Sequence, residues 1–127
     1  MRTVKVSSTP EKFKQDITIG HLHLNADEPV VAGGRDEGPS PYELLLASLG
    51  ACKAMTVKMY AERKGWNLAQ VAVELSQVKE GDTLKIQVHL TVEGDLDEQQ
   101  RQRLLEIADR CPIHRTLTSN IEIQSHY

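Results

Sequence analysis

The stretch "SPYELLLASLGACKAMTVKMYAERKGW", Ser40 to Trp66, decides the fold. Ser40 is a helix-capping residue, Pro41 suits the first helical position, and Glu43 three residues after the cap completes a capping box. Arg63 and Lys64 fall in the last turn and Gly65 follows as a C-terminal cap, so the spacing predicts a helix from Ser40 to about Lys64. Between Leu44 and Ala61 apolar side chains cover most of the circumference, and a helix apolar on nearly every side belongs in the middle of a fold. Its small residues Ala47, Ser48, Gly50, Ala51 and Ala54 permit close approach by another helix or subunit. Cys52 lies halfway along it.

Before this helix the chain reads as short strands over Thr3–Val6, Phe13–Ile19 and His21–Asn25, with Gly20 as a turn, followed by the loop "NADEPVVAGGRDEGPSP". Alternation in "HLHL" sets His21 and His23 on one strand face, which reads as solvated, and Leu22 and Leu24 on the other. After the helix come strands over Val71–Val78 and Thr83–Glu93, joined by "KEGD". The second alternates Leu84, Ile86, Val88, Leu90 and Val92 on one face, as a half-buried antiparallel strand does. Asp97 with Gln100 caps an amphipathic helix that buries Leu104, Leu105, Ile107 and Ala108 and ends at Cys111. Pro112 then suits the first turn of a short helix to Thr118, and Ile121–Ile123 reads as a last strand. Tyr60 and Trp66 read as packing at the helix end.

The whole chain, residues 1–127, reads as one domain with room for a single core. Aromatic residues make up 4%, so the core must come from aliphatic side chains and methionine. Fifteen basic against eighteen acidic residues give a net charge of -3 with no basic block, which argues against nucleic acid and anionic membrane surfaces as partners. The N-terminus has no apolar segment of signal-peptide length, and a cytoplasmic location is expected. In that compartment two cysteines are not a permanent staple.

Cys52 and Cys111 therefore admit three readings. They are inert core residues, as free cysteine often is; or, with His114, a metal site of weak Cys-x-x-His spacing; or redox-active thiols. Cys111 sits at a helix entrance, where backbone N–H groups and nearby Arg110, His114 and Arg115 favour a thiolate. Cys52, in apolar surroundings, stays inert unless a cation or N–H donor reaches it.

The segments "GPSPYELLLASLGACKAMTVKMYAERKGW" and "LLEIADRCPIHRTL", in this order and with strands around them, resemble the OsmC/Ohr family of osmotically inducible and organic hydroperoxide resistance proteins. The resemblance covers most of the chain. It implies an α+β, OsmC-like fold with an antiparallel sheet and long helices buried at the centre of an intertwined homodimer. It also implies two sites at the subunit interface that reduce organic hydroperoxides without metal, haem or flavin. In the implied chemistry Cys52 attacks the peroxide and becomes a sulfenic acid, Cys111 resolves it to a disulfide, and an external dithiol reduces that bond.

Four positions depart from the hydroperoxide-resistance branch and mark a less characterised one. Tyr42 stands where that branch has a glutamate directly after the helix-opening proline; Glu43 follows one step later, where its capping role accounts for it. The branch's activating arginine has no secure match, and Arg35 in "GGRD" is the candidate. His114 and Arg115 stand where small residues usually follow Cys-Pro. Two further function classes stay open: a non-catalytic member that binds a small apolar or thiol-containing ligand between subunits, and a structural dimer with inert thiols.

Overall fold

The structure is a computed structural model that describes residues 1–127. Its elements are β1 (Val4–Ser8), β2 (Gln15–Ile19), β3 (Leu22–Ala26), a 3-10 turn (Val30–Ala32), α1 (Pro41–Lys64), β4 (Asn67–Glu80), β5 (Thr83–Asp95), α2 (Glu98–Ala108) and α3 (Pro112–Leu117). The architecture is α+β with two antiparallel sheets, ordered β1-β2-β3 and β4-β5. The backbone gathers into two compact units, Met1–Leu45 and Leu46–Tyr127.

In the first unit β2 is the central strand and carries the buried Ile17. His21 falls in the turn after Gly20 and His23 on β3; both are exposed, and His23 Nε2 lies 3.8 Å from Asp16. The following loop is organised by Asp27, only 3% exposed. Its carboxylate accepts from the backbone N–H of Glu28 (2.8 Å), Arg35 (3.3 Å) and Glu37 (3.1 Å). Burial pushes this carboxyl up, but the three N–H donors outweigh it and hold Asp27 below the usual aspartate value. A depressed folded value stabilises the fold above the unfolded aspartate's pKa of about 4, and that stabilisation disappears as pH falls through the still lower folded value. Asp27→Asn should therefore lower the melting temperature at pH 7, and the gap to the wild type should narrow as the melts are repeated below about pH 4.

The capping box at the start of α1 forms as read: Ser40 N–H donates to Glu43 Oε1 (2.8 Å) and Glu43 N–H to Ser40 Oγ (3.2 Å). Gly65, at φ +69°, ends the helix. In the second unit α1 buries a stripe with helical spacing, Leu49, Lys53, Val57 and Ala61, together with Gly50. Val57, Ala61, Val92, Leu104 and Ala108 make one core cluster, with Tyr60 and Trp66 packed at its edge in a T-shaped pair 5.6 Å apart. Val57 and Leu104 are wholly buried, each worth roughly 1.5–3 kcal/mol relative to exposure. The opposite face of α1 differs from the expectation of burial all round: Ala47, Ala51, Met55 and Met59 are exposed in the single chain. By length and composition α1 could cross a bilayer, yet Lys53 and Lys58 interrupt its middle turns and its buried stripe packs on β5 and α2.

The β4–β5 hairpin runs beyond the expected bounds, to Asn67 and Asp95. An irregularity between Leu68 and Gln70 faces Gly94 at φ +149°, where a Cβ would overlap the Asn67 carbonyl, so glycine lets the pairing continue around the bulge. Two other expectations are corrected. α2 stops at Ala108 rather than Cys111, because Pro112 holds Cys111 extended at φ -66°, ψ 146°. Ile121–Ile123 is not a strand: no edge of this chain pairs with it, and Ile121 and Ile123 are 56% and 84% exposed. The Asp97–Gln100 capping box at α2 is complete. Asp97→Ala should cost about 1 kcal/mol, read as a melting temperature lower by about 3–5 °C.

Candidate active site

Pro112 sets the geometry on which the site is built. It holds Cys111 extended and starts α3, whose first amides lack helical acceptors and point back at sulfur. Ile113 N–H donates to Cys52 Sγ (3.5 Å) and His114 N–H to Cys111 Sγ (3.4 Å). Consecutive backbone donors of one short helix thus serve two cysteines carried by different elements. Neither thiol is in a disulfide, and Cys52 is near enough to act on the Cys111 thiol.

Their surroundings differ. Cys52 is half-buried on the flank of α1, while Cys111 is fully enclosed. Sequence reasoning expected the helix entrance to favour a Cys111 thiolate, and the structure reverses the balance. Burial pushes the Cys111 thiol up, the neighbouring Cys52 adds to that, and the His114 N–H and the Lys53 charge only partly oppose it. Cys111 therefore holds its proton more tightly than an ordinary thiol.

Lys53 was not singled out in the sequence. It is 1% exposed, and its ammonium donates to Ala108 O (3.2 Å) and Asp109 Oδ1 (3.3 Å) and lies 2.8 Å from His114 Nδ1. Three donors meet three acceptors, the condition for burying such a group. With Nδ1 accepting, the His114 ring carries its proton on Nε2. The available signal was positional: Lys53 occupies the i+4 register of Leu49, Val57 and Ala61, which a surface lysine would avoid.

Of the other expected residues, His114 joins the site. Glu43 remains in its cap, Arg115 is exposed, and Arg35 is an exposed loop residue of the first unit. No group of three or more His, Cys, Asp or Glu side chains is arranged to hold a metal ion, and His114 Nδ1 is already engaged by Lys53. Two cavities flank α3. One, about 260 Å³, is lined by Leu49, Ile86, Val88, His114 and Leu117 among others. A larger cleft, about 790 Å³, is lined by Thr56, Met59, Glu62, Arg63, Arg110 and Pro112, so it begins one helical turn from Cys52.

A family model described as OsmC-like protein matches residues 34–126, which contain both cysteines, and the chain belongs to that family. Solved structures share the fold. An OsmC like protein from Mycoplasma pneumoniae superposes with a TM-score of 0.78 at 17% identity, covering 92% of this chain and 86% of that one. An organic hydroperoxide resistance protein OsmC from Legionella pneumophila gives 0.69 at 20% identity, with 94% and 90% covered. The organic hydroperoxide resistance protein OhrB of Bacillus subtilis gives 0.64 at 24% identity, with 94% and 92% covered. A comparison with curated proteins found no match.

The different burial of the two thiols predicts their labelling. With limiting iodoacetamide at pH 7, peptide mass spectrometry should find Cys52 alkylated several-fold faster than Cys111, and Cys111 labelling should rise only above the usual thiol range of about 8.5.

Proposed function

We propose that the protein is a thiol-dependent peroxidase that reduces organic hydroperoxides, with Cys52 as the peroxidatic and Cys111 as the resolving residue. One observation carries the reading: two free cysteines from separate elements each accept a backbone N–H from consecutive residues at the start of α3, Cys52 half-buried and Cys111 enclosed. Family membership and the names of the Legionella pneumophila and Bacillus subtilis structural neighbours support it.

The cycle balances as follows. The Cys52 thiolate attacks the distal peroxide oxygen, the O–O bond breaks, and the alkoxide leaves and takes a proton to become the alcohol. Sulfur, oxidised by two electrons, is now a sulfenic acid. The Cys111 thiol displaces its hydroxyl as water and forms the disulfide. An external dithiol then returns both thiols by exchange and is itself oxidised to a disulfide. The cleft beside Cys52 offers Met59, Pro112 and the Thr56 methyl to an apolar substrate. In this proposal the exposed Ala47, Ala51, Met55 and Met59 face of α1 is covered by a second copy, and the site works at a homodimer interface in the cytoplasm.

In an assay with t-butyl hydroperoxide and a dithiol, the wild type should consume peroxide and Cys52→Ser should lose at least a hundred-fold. Cys111→Ser should complete one turnover and then accumulate Cys52 sulfinic acid, visible by intact mass. Absence of consumption by the wild type would defeat the reading. Tyr42 in the glutamate's place and Glu43 held in its cap would then favour the ligand-binding alternative.

A further inference from the structure

The peroxidase cycle, on which this inference rests, leaves Lys53 without a part. We propose that Lys53 is the positioning residue of the disulfide-forming step: it clamps the α2–α3 junction against α1, and its charge stabilises negative charge passing onto Cys111 as that sulfur attacks the Cys52 sulfenic acid.

The placement of its partners is the first ground. All three acceptors of the ammonium lie on the segment that carries Cys111: Ala108 O and Asp109 Oδ1 precede the cysteine, and His114 Nδ1 follows it. The clamp therefore brackets the resolving cysteine and also holds the α3 amides that reach both sulfurs. The chemistry is the second ground. In the condensation the Cys111 S–H proton joins the departing hydroxyl as water, the S–O bond breaks and the S–S bond forms. Cys111 carries transient negative charge with no exposure to water, where a cation acts more strongly than at a surface.

The charged and titratable groups around Cys111 are few. α1 contributes Cys52 and Lys53, the end of α2 contributes Asp109, and α3 contributes His114; Arg110, next in the chain, is exposed and lines the outer cleft. Asp109 is 75% exposed, so water screens it and it cancels only part of the Lys53 field. Lys53 pulls the Cys111 thiol down against the larger effect of burial, in the direction the clamp geometry requires.

The test separates the two steps in a single turnover with t-butyl hydroperoxide, sulfenic acid being trapped with dimedone and disulfide read by mass. Lys53→Met should slow closure on the order of ten-fold and slow sulfenic acid formation much less. Dimedone adduct should accumulate, and with excess peroxide as the second oxidant sulfinic acid as well. Lys53→Arg, which keeps the charge, should stay within a few-fold of the wild type. Asp109→Asn keeps an oxygen for Nζ but removes the opposing charge, so it should speed closure; being at the surface, it decides the matter if Lys53→Met does not fold. Unchanged closure in a folded Lys53→Met, equal slowing of both steps, or closure in Asp109→Asn that is not faster overturns the proposal.

A second arm needs no peroxide. In a Cys52→Ser background the pH profile of Cys111 alkylation should move up with Lys53→Met and down with Asp109→Asn, and a profile indifferent to both overturns the proposal. If the wild type consumes no hydroperoxide, the functional reading fails by itself, while this arm still decides whether Lys53 acts on Cys111.

Discussion

A lysine with 1% exposure holds this site together. Taking an ammonium out of water is unfavourable by several kcal/mol unless each N–H finds an acceptor, and Lys53 finds all three on the α2–α3 junction. Satisfying the charge and docking the junction are thus one event. Asp109 is largely solvated and adds little as an ion pair; the Ala108 carbonyl and the His114 ring supply the enclosed half of the clamp.

Pro112 supplies the second constraint. It ends α2, holds Cys111 extended, and begins a helix whose free amides have two sulfurs within reach. Both cysteines receive a donor from the same helix entrance, so the entrance alone does not distinguish them. Burial does. Cys111 is closed off and keeps its proton, whereas Cys52 on the flank of α1 lies one turn from an open cleft. The unequal roles proposed for the two thiols follow from that unequal access to water.

The apolar outer face of α1 belongs to the same picture. The helix is apolar on nearly all sides, but the single chain buries one stripe, leaving Met55 and Met59 at 58% and 62% exposure. A large apolar surface on a helix this central is what a partner surface looks like, and the proposed second copy would cover it beside the cleft that begins one helical turn from Cys52.

Much of the fold was legible in the sequence because local signals coincide with it. The Ser40–Glu43 and Asp97–Gln100 capping boxes, Gly65 and the alternation along Thr83–Glu93 each report a local preference that the structure keeps, and the two cysteine motifs carried the family resemblance. The hairpin ends were not legible, since they depend on a bulge opposite Gly94, nor was the fate of Ile121–Ile123, since a strand exists only through its partner. The site divides the same way: Cys52, Cys111 and His114 could be named from motif and spacing. Their convergence, the burial that reverses the preference at Cys111, and the part of Lys53 depend on which groups meet across the long separation between α1 and α3. The residue types set what chemistry was available, and only tertiary packing decided which sulfur would meet water and which would meet a buried cation.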